Sequence, residues 1–319
     1  MAHRKTAMVT GANGYIGKRL VSALAKDSQF GTIIAVDRPK SFNFESSSDL
    51  KDIEFIECDL TDFDQLKVLP NNIDTVFLLA ALNGTSRFYS EPYSVFYNSL
   101  TPTLNIIERY KSSANYIYTS SSEVYANSIG KDNLYLPTNE LVPTSLGFRE
   151  NPRWSYASAK LMGEYALTYA AQEFGSMGAI LRYHNVYGPN MPPDHFIPDF
   201  MNRARSGDFS VFGANQTRAF TYIDDAIKGT LAAIKGISPS VPIFHIGNSE
   251  EILIEEAAFL ILEAMNISGA ALHKHPAPEG SVARRIPNTN KAYEILGWKA
   301  KIKFREGIQE LIKEELCGS

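Results

Sequence analysis

The sequence predicts a doubly wound α/β fold, in which a parallel sheet carries helices on both faces and a smaller C-terminal domain is interwoven with it. Three observations predict it. An apolar run, Thr6 to Thr10, passes through a glycine turn into an amphipathic run that continues to Lys26. A second apolar run, Thr32 to Val36, ends in an acid, Asp37. Further apolar runs then alternate with helical stretches, which makes a parallel sheet with right-handed crossovers, its ligand at the carboxyl ends of the strands.

The turn is Thr10-Gly11-Ala12-Asn13-Gly14-Tyr15-Ile16-Gly17. Gly11 can turn tightly with positive φ, Gly14 lets a ligand approach the backbone, and Gly17 lets the helix pack on the strand. The free N–H groups and positive dipole end of that helix suit a pyrophosphate. The spacing is G-x-x-G-x-x-G rather than G-x-G-x-x-G, so the turn alone is a moderate signal. Asp37, 20 residues after Gly17, strengthens it. A carboxylate at the tip of the second strand can bind the adenosine ribose hydroxyls and repels a 2′-phosphate, which favours NAD. Arg38 softens that preference, since it could pair with the extra phosphate.

A polar, Ser-rich loop from Lys40 to Asp49 precedes Ile53 to Cys58, which alternates as a third strand with Asp59-Leu60 at its tip. Thr75 to Ala80 reads as a strand buried on both faces, and Ala80-Ala81 are small enough to lie under a flat ligand. Pro92 to Tyr110 reads as a helix, Tyr116 to Thr119 as a strand, Ser155 to Phe174 as a long helix and Ala179 to Tyr183 as a strand. Beyond Asn185, Pro189, Pro192, Pro193 and Pro198 crowd together, as where a chain leaves one domain to build another. Helices are expected near Ile197 to Ser206, Asp224 to Ile234 and Ile254 to Met265, with Ile243 to Ile246 back in the main sheet. Residues 1–184 are therefore read as the cofactor domain, with a return segment near 220–247, and 185–319 as the substrate domain.

The 319 residues suffice for one large or two modest cores, and a hydrophobic fraction of 44% is ordinary for a globule. A net charge of −4 without a long basic block gives no reason to expect nucleic acid or an anionic membrane as partner. Cys58 and Cys317 lie far apart without metal-ligand spacing and suit a reducing compartment. The basic N-terminus lacks a signal-peptide apolar region, and no run approaches the roughly 18 apolar residues of a membrane span. A cytoplasmic protein is expected.

Tyr156-Ala157-Ser158-Ala159-Lys160 places a phenol and an ammonium one helical turn apart on one face. A nearby cation stabilises phenolate, so the tyrosine is expected to become a usable base at neutral pH. The spacing by itself is weak, because Tyr15 and Arg19 form a similar pair. Its weight comes from Thr119-Ser120-Ser121-Ser122-Glu123-Val124-Tyr125 at the carboxyl end of the preceding strand, where the cofactor should lie. Hydroxyls there could hold a substrate alcohol against Tyr156, and Glu123 could supply an acid or base.

With these motifs in place the chain resembles the extended short-chain dehydrogenase/reductases, specifically the NAD-dependent nucleotide-sugar epimerase/dehydratase group, over nearly its whole length. The resemblance also rests on Arg182-Tyr183-His184-Asn185-Val186-Tyr187-Gly188-Pro189, Gln216-Thr217-Arg218-Ala219-Phe220-Thr221-Tyr222-Ile223-Asp224-Asp225, Arg284-Arg285-Ile286-Pro287 and Leu296-Gly297-Trp298. It implies a Rossmann-type domain holding NAD, a smaller domain closing over a nucleoside-diphosphate sugar, and a homodimer bundled through Pro92 to Tyr110 and Ser155 to Phe174. On this resemblance Gly11, Asn13, Gly14, Tyr15, Ile16, Gly17, Asp37 and Arg38 belong to the cofactor site. Asp59 and Leu60 should meet the adenine, Ala80 and Ala81 the pyrophosphate side, and Asn98 and Tyr183 the ribose or nicotinamide. Ser121 matches the catalytic Ser/Thr, Tyr156 the base, and Lys160 its activator, which also reaches the cofactor. Asn83, Ser121, Asn185, His195, Val211, Arg218 and Arg285 fall at substrate positions, where guanidinium forks suit a diphosphate.

Two departures matter. Ala126 stands where a glycine is usual, and Ser122-Glu123 looks like 4,6-dehydratases and UDP-glucuronate decarboxylases rather than simple 4-epimerases. The Gln216-Thr217-Arg218-Ala219-Phe220 stretch also looks decarboxylase-like, and neither pattern is exclusive. The implied reaction oxidises the sugar C4 hydroxyl to a ketone, with Tyr156 as base, and then epimerises, dehydrates or decarboxylates. One alternative is a C4 dehydrogenase that releases the ketone. Another, of a different class, is a catalytically silent NAD-binding regulatory protein, against which the intact Ser121, Tyr156 and Lys160 speak. His184 could touch the sugar, but the histidines show no metal-ligand spacing and no metal is expected.

Overall fold

The computed structural model describes residues 4–38, 52–126, 128, 135–278 and 281–317; the Ser-rich loop from Lys40 to Asp49 lies outside them. The chain opens on β1 (Lys5–Thr10), α1 (Tyr15–Ala25), β2 (Phe30–Asp37), β3 (Ile53–Glu57) and β4 (Thr75–Leu78). After a short α2 (Thr85–Ser90) come α3 (Pro92–Tyr110), β5 (Asn115–Ser121), α4 (Ser155–Phe174) and β6 (Met177–Tyr183). Shorter elements follow: β7 (Val186–Tyr187), α5 (Phe196–Arg205), β8 (Ser210–Phe212), β9 (Thr217–Ala219), β10 (Thr221–Tyr222), α6 (Ile223–Ala232), β11 (Ile243–Ile246) and β12 (Glu251–Leu253). The last are α7 (Ile254–Ala264), β13 (His273–His275), β14 (Arg284–Arg285), α8 (Asn290–Leu296) and α9 (Phe304–Cys317).

The main sheet has seven strands in the order β11-β6-β5-β4-β1-β2-β3, all parallel. Its order reverses at β1, which pairs with β2 on one side and β4 on the other, so a crevice opens beyond the carboxyl ends there. Ile243–Ile246 joins this sheet as expected, pairing with β6. One face packs Leu20, Val21 and Leu24 of α1 and Ile227 of α6 against Val9, Phe77 and Leu181. The other packs Ile106 and Ile107 of α3 and Leu167 of α4 against Met8, Val76 and Ile180. Strands covered on both faces need no polar side, which is why β4 reads as an unbroken apolar run. Edge strand β3 leaves Glu54 and Phe55 exposed.

Two strand ends differ from the sequence reading, and both differences shape the crevice. β4 stops at Leu78 because the Thr10 hydroxyl accepts from the Leu79 and Ala80 N–H groups at 3.1 and 3.2 Å, so Ala80-Ala81 lie in the loop beyond the strand. β5 runs on to Ser121, whose Oγ accepts from Glu123 N at 3.2 Å and caps a 3₁₀ turn, Ser122–Tyr125. Among the described residues no helix is long and apolar enough to cross a membrane.

Candidate active site

The glycine turn leaves no room for side chains. A Cβ on Gly17 would stand 2.1 Å from the Gly11 carbonyl oxygen, and one on Gly11, at φ +68°, would stand 2.9 Å from Ala80 Cα. The N-cap of α1, Gly14, offers no side chain to the first-turn N–H groups, which leaves them to a ligand. The Asp37 carboxylate accepts from Asn13 N and Arg38 N, each at 2.8 Å, and so fastens the turn to the tip of β2. A cradle that any Cβ would fill, at an uncapped helix N-terminus, fits the pyrophosphate of NAD.

A cleft of about 780 Å³ runs from this turn along the strand ends. Gly11, Asn13, Gly14, Tyr15, Ile16, Gly17, Asp37, Arg38, Asp59, Leu60, Ala80, Ala81 and Asn98 line it at the turn side, with Asn83, Ser121, Glu123, Tyr156, Lys160, Tyr183, Asn185, His195 and Arg285 beyond. Two expected site residues fall outside that lining. Val211 is fully buried within β8. Arg218, the register partner of Arg285, donates its guanidinium to Thr217 O, Gln216 Oε1 and Ser281 Oγ at 2.7, 3.0 and 3.2 Å. His184, which could have touched the sugar or been structural, is fully buried, its ring 4.8 Å from that of His245. Phe88, which the sequence reading passed over, stacks on Tyr156 with ring centroids 5.6 Å apart. It sits on α2, whose six residues are too few to show a helical period.

The electrostatics of the reacting end reverse one expectation. Lys160 Nζ lies 5.8 Å from the Tyr156 ring centroid and 5.1 Å from that of Tyr118, and the lysine is buried. Burial pushes the Lys160 ammonium down to about 7. Burial, and then the Glu123 charge, push the Tyr156 phenol up rather than down. The lysine therefore does not by itself make Tyr156 acidic in the ligand-free protein. Glu123 is held the other way: burial would raise its carboxyl, but the Arg285 and Arg153 charges and the Arg285 hydrogen bond bring it to about 2. Arg285 Nη1 stands 2.6 Å from Oε1 and Arg153 Nη2 3.8 Å from Oε2. Glu123 is thus held as a carboxylate, ready to accept a proton before it could donate one.

Behind the cleft a buried ion pair joins the elements that carry the site. Glu164 of α4, one turn beyond Lys160, accepts from Arg182 Nε and Nη2 at 2.9 and 2.5 Å and from Ser120 Oγ at 2.5 Å. Arg182 also donates to Tyr125 OH, which meets His245 Nε2 at 2.8 Å. Ser120 neighbours Ser121, so one carboxylate ties the serine strand to the tyrosine helix.

The model of the NAD dependent epimerase/dehydratase family matches residues 7–247. The chain belongs to this family. Over 97% of each chain it is 30% identical to a UDP-N-acetyl-alpha-D-glucosaminuronate decarboxylase of Bacillus cytotoxicus. The crystal structure of UDP-glucose 4-epimerase with UDP-glucose from Thermotoga maritima superposes with a TM-score of 0.85 at 25% identity, covering 98% of this chain and 99% of that one. UDP-glucuronic acid 4-epimerase from Bacillus cereus in complex with NAD gives 0.80 at 25% identity, with the same coverage. This member of the epimerase/dehydratase family is accordingly an NAD-dependent enzyme of nucleotide-sugar chemistry.

Proposed function

We propose that this enzyme oxidises the C4 hydroxyl of a nucleoside-diphosphate sugar, with Tyr156 taking the hydroxyl proton, and then completes an epimerisation, dehydration or decarboxylation at the resulting ketone. The observation that carries this is that Ser121, Tyr156 and Lys160 line one cleft, with Lys160 Nζ 5.8 Å from the Tyr156 ring centroid and Phe88 stacked on the tyrosine. Ser121 Oγ, oriented by Glu123 N, offers its proton to the sugar oxygen. Lys160, as ammonium, supports the phenolate that forms when Tyr156 has given up its own proton. NAD, when bound, supplies the acceptor for the C4 hydride. Asn185 and Arg285 bind the substrate from the segment after residue 184, which we assign to the substrate domain apart from β11 and its approach. Held as a carboxylate, Glu123 is in the form that could take a proton next to the ketone, as a dehydration requires, and could pass that proton to a departing C6 hydroxyl.

The relatives' named substrates include UDP-glucose and UDP-glucuronic acid, which makes uridine the first nucleotide to try. The enzyme is read as a homodimer through α3 and α4, where Tyr93, Tyr97, Leu104, Tyr165 and Tyr169 are exposed. A panel of UDP-, GDP-, CDP- and dTDP-sugars, followed by NADH absorbance and product mass, tests the reaction. Tyr156→Phe should lose ~10² to 10⁴ of turnover while keeping the fold and NAD, as general base catalysis is worth that much. Near-normal turnover in that variant would remove Tyr156 from the role.

A further inference from the structure

Two stretches of the cleft lining lie far apart in sequence and meet in space. Asn83, Thr85 and Phe88 belong to the segment after β4, and Pro192, Asp194 and His195 to the segment after β7. They are joined where Ser86 Oγ donates to Asp194 Oδ2 at 2.5 Å, across 108 positions. Gly84 makes room for the contact: it is buried at φ +144°, and a Cβ on it would stand 3.2 Å from the same oxygen. The two sides differ in stiffness. Pro192 and Pro193 fix the backbone ahead of Asp194, and α5 begins at Phe196 just after it. The six residues of α2, without a side-chain cap at Gly84, are too few to hold a helix unaided, so its place is set by what it touches. Leu82 N donates to Ser99 Oγ at 3.1 Å and Arg87 pairs with Glu91 at 3.5 Å, which ties the ends of α2 to α3. Its remaining contacts are unequal. Phe88 is buried with its ring within 14° of parallel to that of Tyr156, whereas Ser86 is exposed and does not line the cleft.

We infer that Ser86 and Asp194 are positioning residues for the Tyr156 base: their hydrogen bond fastens α2 to the Pro-rich segment after β7 and so keeps Phe88 stacked on the tyrosine. This rests on the reading of Tyr156 as the C4 base. A stacked neighbour fixes the plane of the phenol ring, and with it the direction from which the hydroxyl oxygen meets the sugar. Ser86 and Phe88 stand two positions apart on one short helix, so a shift of α2 at the first is felt at the second. Because Ser86 itself stays out of the cleft, any effect it has on the reaction must pass through α2. The bond is charge-assisted but exposed, so its loss should slow the oxidation severalfold rather than abolish it.

Single-turnover NADH absorbance in the NAD-loaded enzyme tests this, with the sugar of the UDP-, GDP-, CDP- and dTDP-panel that the wild type oxidises fastest. The rate at saturating sugar and the calorimetric affinity are read for the wild type, Ser86→Ala, Ser86→Thr, Phe88→Leu and the Ser86→Ala/Phe88→Leu double variant. Ser86→Ala should lower the saturating rate about threefold to tenfold, the span of an ordinary hydrogen bond, with sugar affinity and NAD content unchanged. Ser86→Thr, which keeps the hydroxyl, should restore most of the rate. Phe88→Leu should slow the same step, and Ser86→Ala should cost little more on top of it, since the two act through one contact. An unchanged saturating rate in Ser86→Ala, or a loss confined to sugar affinity, overturns the inference and leaves Tyr156 as base. So do losses from Ser86→Ala and Phe88→Leu that multiply in the double variant. If no sugar of the panel yields NADH in folded, NAD-loaded wild type, the C4-oxidation reading fails first and this inference with it. Should Phe88→Leu not fold, the loss in Ser86→Ala and its recovery in Ser86→Thr decide alone.

Discussion

Tyr156 and Glu123 line the same cleft and oppose each other electrically, since after burial the Glu123 charge is what raises the Tyr156 phenol. Turnover that needs deprotonated Tyr156 rises with pH through the phenol's pKa, and removing the neighbouring negative charge lowers that pKa. Glu123→Gln should therefore move the acidic limb of the single-turnover pH profile to lower pH; an unmoved limb would mean Glu123 does not act on the base. The same substitution has a stability signature. Glu123 sits at about 2 when folded against an ordinary 4.5, so its contribution is present above about pH 4.5 and is lost as pH falls toward 2. Lys160 has the opposite sign. Burial brings it from 10.5 to about 7, so its charge opposes folding below pH 7 and the penalty fades as pH rises toward 10.5. Lys160→Met is expected to raise the denaturation midpoint at pH 7 while abolishing turnover, the exchange of stability for activity that functional residues often carry. A lower midpoint would contradict the burial argument.

At the scale of elements, the site depends on how α4 is held against β5 and β6. Gly163 lets α4 approach, since a Cβ there would stand 2.1 Å from Tyr118 OH. The Glu164–Arg182 pair then sets the register, with side chains 7% and 4% exposed. Glu164→Ala leaves a buried guanidinium unpaired and should cost about 3–5 kcal/mol of unfolding free energy by urea titration. A loss under about 1 kcal/mol would show that water or a repacked partner satisfies Arg182. These partners were open to a sequence reader only as residue types. Ser120, Glu164 and Arg182 come from three separate elements, and nothing in their spacing says that they meet.

Across the whole molecule, α3 and α4 pack side by side and carry an outward aromatic face. Tyr93 and Tyr97 pair with ring centroids 6.1 Å apart, and Tyr165 and Tyr169 at 5.8 Å. Tyr93 is 77% exposed, a large apolar area that a second copy would cover. Tyr97→Glu with Tyr169→Glu should give a monomer by sedimentation that still binds NAD. A wild type that already sediments as a monomer would remove the dimer.

The sequence by itself determined the parallel sheet, the glycine turn, the ends of the long helices and the return of Ile243–Ile246, because these follow from local periodicity and backbone permissiveness. Asp37 was legible for the same reason, as an acid closing an apolar run. Only the tertiary structure decided what the charged groups do. Tyr156 and Lys160 share a helix face, yet burial set their ionisation against the expected sense. Glu123 became a fixed carboxylate because Arg285 arrives from 162 residues away and Arg153 from another turn. Desolvation and Coulomb forces depend on what surrounds a group in space, and residue order along the chain carries no record of that.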